Sequence, residues 1–347
     1  MHMSTHEYKD LQAFHHDALI FDIHFHPRSA LPAFFRHIGH FFLRKTMPPL
    51  EDLSALGPAG VDGCALAAIG DSQIGGPFTL KTITRSITRQ LQRCIEEINT
   101  CDGRIVYAAD DILAAKREGR LSFLLSLEGG NMLRGPEDVE LLDHLGFRLL
   151  TLVHLNDNSI GRVGANTWNY WRRGCNSGTK SGLTALGEVC VRKMNALGMI
   201  IDVSHCHQAT VMDVAGLSNR PIVASHAGAR AVSEFHRYLL DDEIEAIART
   251  GGLIGLWPMY YWGRGMAGAE DFKAHLTHML DLVGEDHLAI GTDVQGIPGL
   301  MPGFGGVKDY ITLTGLLFDA GLNEKQARKV LGLNFLRVLD EATATRP

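Results

Sequence analysis

Apolar and polar positions along the chain alternate in blocks: a short apolar run, then a stretch with helical spacing, repeated eight times. The runs are 18–26 (ALIFDIHFH), 61–70 (VDGCALAAIG), 121–130 (LSFLLSLEGG), 147–154 (FRLLTLVH), 199–205 (MIIDVSH), 221–226 (PIVASH), 252–257 (GLIGLW) and 287–293 (HLAIGTD). Between them, the segment 79–99 puts Ile83, Ile87, Leu91, Ile95 and Ile98 at helical spacing. Further helices are predicted over 111–118, 136–146, 183–197, 208–215, 241–249 and 271–283, and 323–340 closes the chain in helical turns. Strands alternating with helices imply a parallel sheet, and eight units suit a closed (β/α)8 TIM barrel better than an open doubly wound sheet. The expectation is one barrel domain over 1–347, with long βα loops at about 28–49 and 155–182.

Composition adds exclusions. A hydrophobic fraction of 45% and a net charge of −6 describe a globular chain without the basic footprint of a nucleic-acid binder. No apolar run is long enough to span a bilayer and no charged-then-apolar leader opens the chain, so a cytoplasmic location is the default expectation. The six cysteines are scattered, without a CxxC pair, and read as buried free thiols. Cys206, beside His205, is the one with ligand potential. The apolar stretch 34–42 reads as a lid or a subunit interface.

The 17 histidines change the picture, because several stand where the strands stop. Asp22, His24 and His26 alternate along the first strand and are expected to share a face. Glu128 ends the third strand, His154 the fourth, His205 the fifth, His226 the sixth and Asp293 the eighth. Singly, each has an ordinary reading. Glu128 before two glycines suits a turn, His205 and His226 suit hydrogen bonds to loop backbone, and Asp293 suits a cap. Together, in a barrel, they converge on one mouth. Four histidines and a bridging glutamate complete two neighbouring metal sites, whose imidazole and carboxylate donors favour zinc over iron or manganese. Two such ions would polarise a carbonyl and generate a bridging hydroxide near neutral pH. His154 fits as a donor to the scissile carbonyl and Asp293 as the group that moves the proton.

These pieces resemble the membrane (renal) dipeptidase family, metallopeptidase family M19 of the amidohydrolase superfamily. The likeness runs through LIFDIHFHP, SLEGG, FRLLTLVHLND, GLTALGEVCVRKMNALGMIIDVSH, PIVASHAGARAV, LAIGTD and NEKQARKVLGLNFLRVL. It implies a metal-dependent hydrolase barrel with two zinc ions bridged by Glu128, one held by His24 and the residue at 26, the other by His205 and His226. It implies a dipeptide substrate, with a D-residue tolerated at the C-terminal position, and a homodimer. The arginine that holds the substrate carboxylate falls on Arg237, with Arg230 as the other candidate. Three motifs depart from the family. Its usual HxD is His24-x-His26, its HN is His154-Leu155-Asn156, and its DFDG is Asp293-Val294-Gln295-Gly296. All lie at the substrate mouth, which keeps two other readings open: hydrolysis of another amide or a lactone, and a silent barrel used for binding.

Overall fold

The computed structural model describes residues 5–30, 50–70, 83–165, 181–297 and 299–344. Eight parallel strands follow one another around the sheet in chain order. They are β1 (Phe21–Phe25), β2 (Gly63–Ile69), β3 (Ser122–Glu128), β4 (Leu149–Thr151), β5 (Ile200–Asp202), β6 (Ile222–Ala227), β7 (Leu253–Leu256) and β8 (Leu288–Ile290). The ring closes just past β8. His26 N donates to Val294 O at 3.1 Å and Asp293 N to His24 O at 2.8 Å. All eight apolar runs thus become strands of a (β/α)8 barrel, as expected.

Two layers of side chains account for the barrel. Phe21, Ile23, Ala65, Leu124, Leu149, Ile200, Val223, Leu253 and Ala289 fill its interior, and Phe335 and Leu339 of the helix Asn334–Thr343 join that cluster from below. The Phe21 and Phe335 rings stack with centroids 4.8 Å apart. Alternate strand residues such as Cys64, Leu66, Leu125, Leu127 and Ile254 face outward into the larger cluster shared with the helices. Both faces being covered, the strands read as continuous apolar runs rather than strict alternations.

Helices arise where caps and stripes agree. Thr184 accepts from Gly187 N to start Ala185–Leu197, and Gly198, at φ 67°, ends it. The predicted 241–249 is observed as Asp241–Arg249. Two helices have no counterpart in the predicted alternation. Tyr310–Asp319 is buried nearly all round, so it carries no amphipathic stripe to read. Thr5–Asp17 is mostly polar, and from residue 9 onward it buries Leu11, Phe14 and His15. The tail is not one continuous helix either. A π turn at Lys329–Leu333 interrupts it where Gly332 passes the Leu19 carbonyl, too close for a Cβ (2.7 Å).

The apolar stretch 34–42 and the aromatic loop residues Trp168, Tyr170 and Trp171 lie outside the described residues. No helix among the described residues is long and apolar enough to cross a membrane.

Candidate metal centre

Every predicted ligand position reaches the same end of the barrel, at the carboxyl ends of the strands. Glu128, the last residue of β3, is at the middle and only 3% exposed. Its Oε1 lies 3.0 Å from His205 Nε2 and 3.6 Å from both His24 Nε2 and His226 Nε2. Its Oε2 lies 3.3 Å from His26 Nε2 and 3.6 Å from His154 Nε2. Asp293 Oδ1 closes the cluster, 3.2 Å from His26 Nε2 and 3.8 Å from His24 Nε2.

Among the described residues, three overlapping groups have ligand atoms close enough to share an ion: His24, His26 and Asp293; His24, Glu128 and His226; Glu128, His154 and His205. Sequence reasoning had not paired Asp293 with His24 and His26, or His154 with Glu128 and His205. Cys206 is buried beside the site but belongs to none of these groups, and burial pushes its thiol well up.

Asp22 does not share the face of His24 and His26. The β1–β2 register shifts between Asp22 and Phe25, which breaks the strict alternation. Asp22 instead accepts from Thr292 Oγ1 (2.5 Å), Tyr310 Oη and the backbone N of His24 and Thr292, tying β1 to the segment after β8. Burial pushes its carboxyl up to about 6, against those donors.

Electrostatics separate the cluster members. Burial alone would raise Glu128, but His154, His205, His26 and His24 hold it well below the usual carboxylate range. For His26 burial opposes protonation, yet Asp293 and Glu128 outweigh it and push the ring up to about 10. Burial drives His205 and His226 well down, and the Arg237 guanidinium adds to the effect.

The donor set suits a metal. His205 Nε2 and His226 Nε2, both held neutral by burial, approach to 3.0 Å. Neutral imidazoles that both present lone pairs at such distances repel, and a cation between them turns that repulsion into ligation. The Nδ1 atoms of His24 and His226 lie on Ser225 Oγ, and His26 Nδ1 on Ala67 O at 2.9 Å, which frees the Nε2 atoms to ligate.

Backbone strain marks the site as well. His205 and Asp293 adopt left-handed φ values of 67° and 55°, and Gln295 follows at 71°. Gln295 Nε2 donates to His26 O and Glu51 O, bracing the end of β1. A Cβ at Gly296 would meet Asp293 Oδ1 at 2.1 Å and the His26 ring at 2.3 Å, so glycine is required there.

Arg237 is buried, donates to His226 O at 3.4 Å and lies 4.9 Å over the Trp257 ring. A cavity of 570 Å³ is bounded by His205, Arg237, Arg230, His236 and Glu243. Sequence reasoning reached Arg237 only through the family resemblance. Nothing in its own surroundings in the chain announces a buried guanidinium.

A parallel (β/α)8 barrel with two buried carboxylates and five imidazoles at its mouth defines a class: barrels equipped to hold metal where barrel enzymes do their chemistry. The sequence profile of "Membrane dipeptidase (Peptidase family M19)" matches residues 12–347, and the chain belongs to that family. Among curated relatives, a dipeptidase, tcpJ, of Claviceps purpurea is 28% identical over 256 residues, covering 72% of this chain and 58% of the relative. An uncharacterized dipeptidase of Schizosaccharomyces pombe is 28% identical over 272 residues, covering 75% and 63%. The chain thus spans roughly three fifths of the length of these relatives. A solved metallopeptidase of Rhodobacter sphaeroides, liganded with a phosphinate mimic of the dipeptide L-Ala-D-Ala, superposes with a TM-score of 0.78 at 23% identity, covering 94% of this chain and 99% of that one.

Proposed function

We propose that the chain is a zinc-dependent dipeptidase that tolerates a D-residue at the C-terminal position of its substrate. The observation that carries this reading is the convergence of Glu128 with five histidines and Asp293 at the barrel mouth, beside a cavity bounded by a buried arginine. Family membership supports the peptide bond as the target, and the dipeptide mimic held by the Rhodobacter protein supports the D-residue.

In this reading His24 and His26 would hold one zinc ion and His205 and His226 a second, with Glu128 serving both. Bound there, the ions would polarise the scissile carbonyl and lower the pKa of the attacking water. Asp293 takes the water's proton on its carboxylate and returns it to the leaving amine nitrogen. His154 donates to the carbonyl oxygen. Arg237 forks onto the free α-carboxylate and so selects short substrates over proteins.

The test is metal content by elemental analysis, with L-Ala-D-Ala hydrolysis assayed on the same full-length preparation. Two zinc ions per chain with turnover are expected. Arg237→Met should lower kcat/KM about 10- to 100-fold, mostly through KM, for the loss of a charged hydrogen-bonded pair. One ion or none, with no turnover after zinc is restored, overturns the reading.

One observation favours a second reading. His26 stands where the family usually has a carboxylate, which removes a negative charge from the site. Two bound ions without dipeptide turnover would move the search to other amides and to lactones.

A further inference from the structure

Beneath the imidazoles lies a polar network that the proposed chemistry does not use. Ser225 Oγ is 2.9 Å from His24 Nδ1, 3.0 Å from His226 Nδ1 and 2.6 Å from Asp202 Oδ2. Ser204 Oγ is its fourth and longest neighbour, at 3.2 Å. Asp202 Oδ2 also accepts from Thr151 Oγ1 at 2.6 Å, while Oδ1 accepts from the backbone N of Ser204 and of Ser225, each at 2.9 Å. Ser225, Asp202, Thr151, His24 and His226 are all 0% exposed, so no water competes for these bonds. The His24 and His226 rings sit side by side, 4.0 Å between centroids, around the one hydroxyl.

With the longest contact, to Ser204, set aside, donor and acceptor counting leaves one arrangement. A carboxylate facing two backbone N–H groups and two hydroxyls is the acceptor in all four bonds. The lone proton of Ser225 therefore points at Asp202 Oδ2. Its oxygen has only lone pairs left for the two rings, so both rings donate through Nδ1–H. Both Nε2 atoms then carry lone pairs, and both face Glu128 at 3.6 Å.

We propose that Ser225, polarised by Asp202, is a positioning residue that sets the tautomer and ring orientation of His24 and His226 together, and so couples the two halves of the metal centre. The proposal rests on the metal reading above. His26 stands outside the device, because its Nδ1 is held by the backbone carbonyl of Ala67. Asp202 lies two strand positions past Ile200, and Ser225 directly before His226; Ser225 serves a ligand of β1 as well as that of its own strand, and Asp202 acts on both through it.

Nitrogen-15 NMR of histidine-labelled, metal-free wild-type chain reads the tautomers directly, with no variant and no activity assay. His24 and His226 should both carry the proton on Nδ1. Finding either one as the Nε2–H tautomer overturns the proposal. Ser225→Ala then removes the shared acceptor. Zinc affinity, measured by chelator competition, should fall about 10- to 100-fold for both ions, the usual cost of losing an outer-shell partner. Wild-type affinity, or weakening confined to one ion, overturns the coupling.

Asp202→Asn separates positioning from simple packing. Its amide must turn an N–H toward Thr151 and Ser225, since the other side faces two backbone donors. The Ser225 hydroxyl must then donate instead to an imidazole Nδ1, which leaves that ring's own proton on Nε2. The NMR signature of one ring should switch to Nε2–H while that of His26 stays unchanged; unswitched rings in the folded variant overturn the proposal. A wild-type chain that takes up no zinc would sink the proposed function, whereas the tautomer reading of the metal-free chain stands apart from it.

Discussion

The two ends of the barrel are made from the same strands and solve opposite problems. Below, Phe21, Leu149, Ile200, Val223 and Leu253 meet Phe335 and Leu339, and every one of these side chains is buried and apolar. Above, the same strands end in Glu128, His226 and the residues just beyond them, equally buried and almost all polar. The lower end gains stability from each group it hides from water. The upper end must offset the desolvation of two carboxylates and five imidazoles, to which the strained φ values at His205 and Asp293 add, and it does so with hydrogen bonds and mutual charge. One fold can therefore carry an expensive site because its other end is inexpensive.

That division predicts that substitutions at the two ends separate activity from stability. The largest effect belongs to Asp293→Asn, which keeps the shape of the mouth and removes the proton acceptor. The turnover number should fall about 10²- to 10⁴-fold with the unfolding midpoint nearly unchanged. Steady-state kinetics beside a urea titration checks both, and a stability loss matching the activity loss would break the comparison.

Phe335→Ala at the lower end should do the reverse. Loss of a stacked, fully buried ring costs about 3–5 kcal/mol, while the folded fraction keeps its zinc affinity and its KM. Reduced zinc affinity in the folded protein would show that the two ends are not independent.

The smallest effect sharpens the comparison within the upper region. Glu243 caps its helix by accepting from Leu240 N at 2.7 Å, and burial pushes its carboxyl up to about 7, against that donor. Its folded value exceeds the ordinary 4.5, so the folded chain holds this proton longer than the unfolded one. Stability from this group is fully present below about pH 4.5 and declines as pH rises through about 7, by up to roughly 3 kcal/mol. Glu243→Gln keeps an acceptor for Leu240 N and should flatten that decline. Urea midpoints at pH 5 and pH 8 compare the two proteins, and an identical pH slope would remove the assigned burial cost.

Much of this was legible in the chain because periodicity reports burial. A strand covered on both faces must be apolar throughout, so eight such runs announced eight strands, and a polar residue where a run stops stood out. The helix Tyr310–Asp319 was illegible for the same reason. Buried on nearly all sides, it offers no contrast between faces. The first strand shows the limit of alternation. Asp22 belongs by spacing with His24 and His26, yet the shifted register sends it to Thr292 and Tyr310 instead.

The sequence by itself determined the order of the eight strands, the parallel barrel and the residue types that stop at its mouth, because local apolar spacing and caps are properties of neighbours along the chain. Only the tertiary structure decided which of those residues meet. Glu128 touches histidines from β1, β6 and the segments after β1, β4 and β5, and Ser225 reaches a ring 201 positions away. Such contacts depend on barrel closure and strand register, which act across the whole chain and leave no trace in the spacing of any one segment.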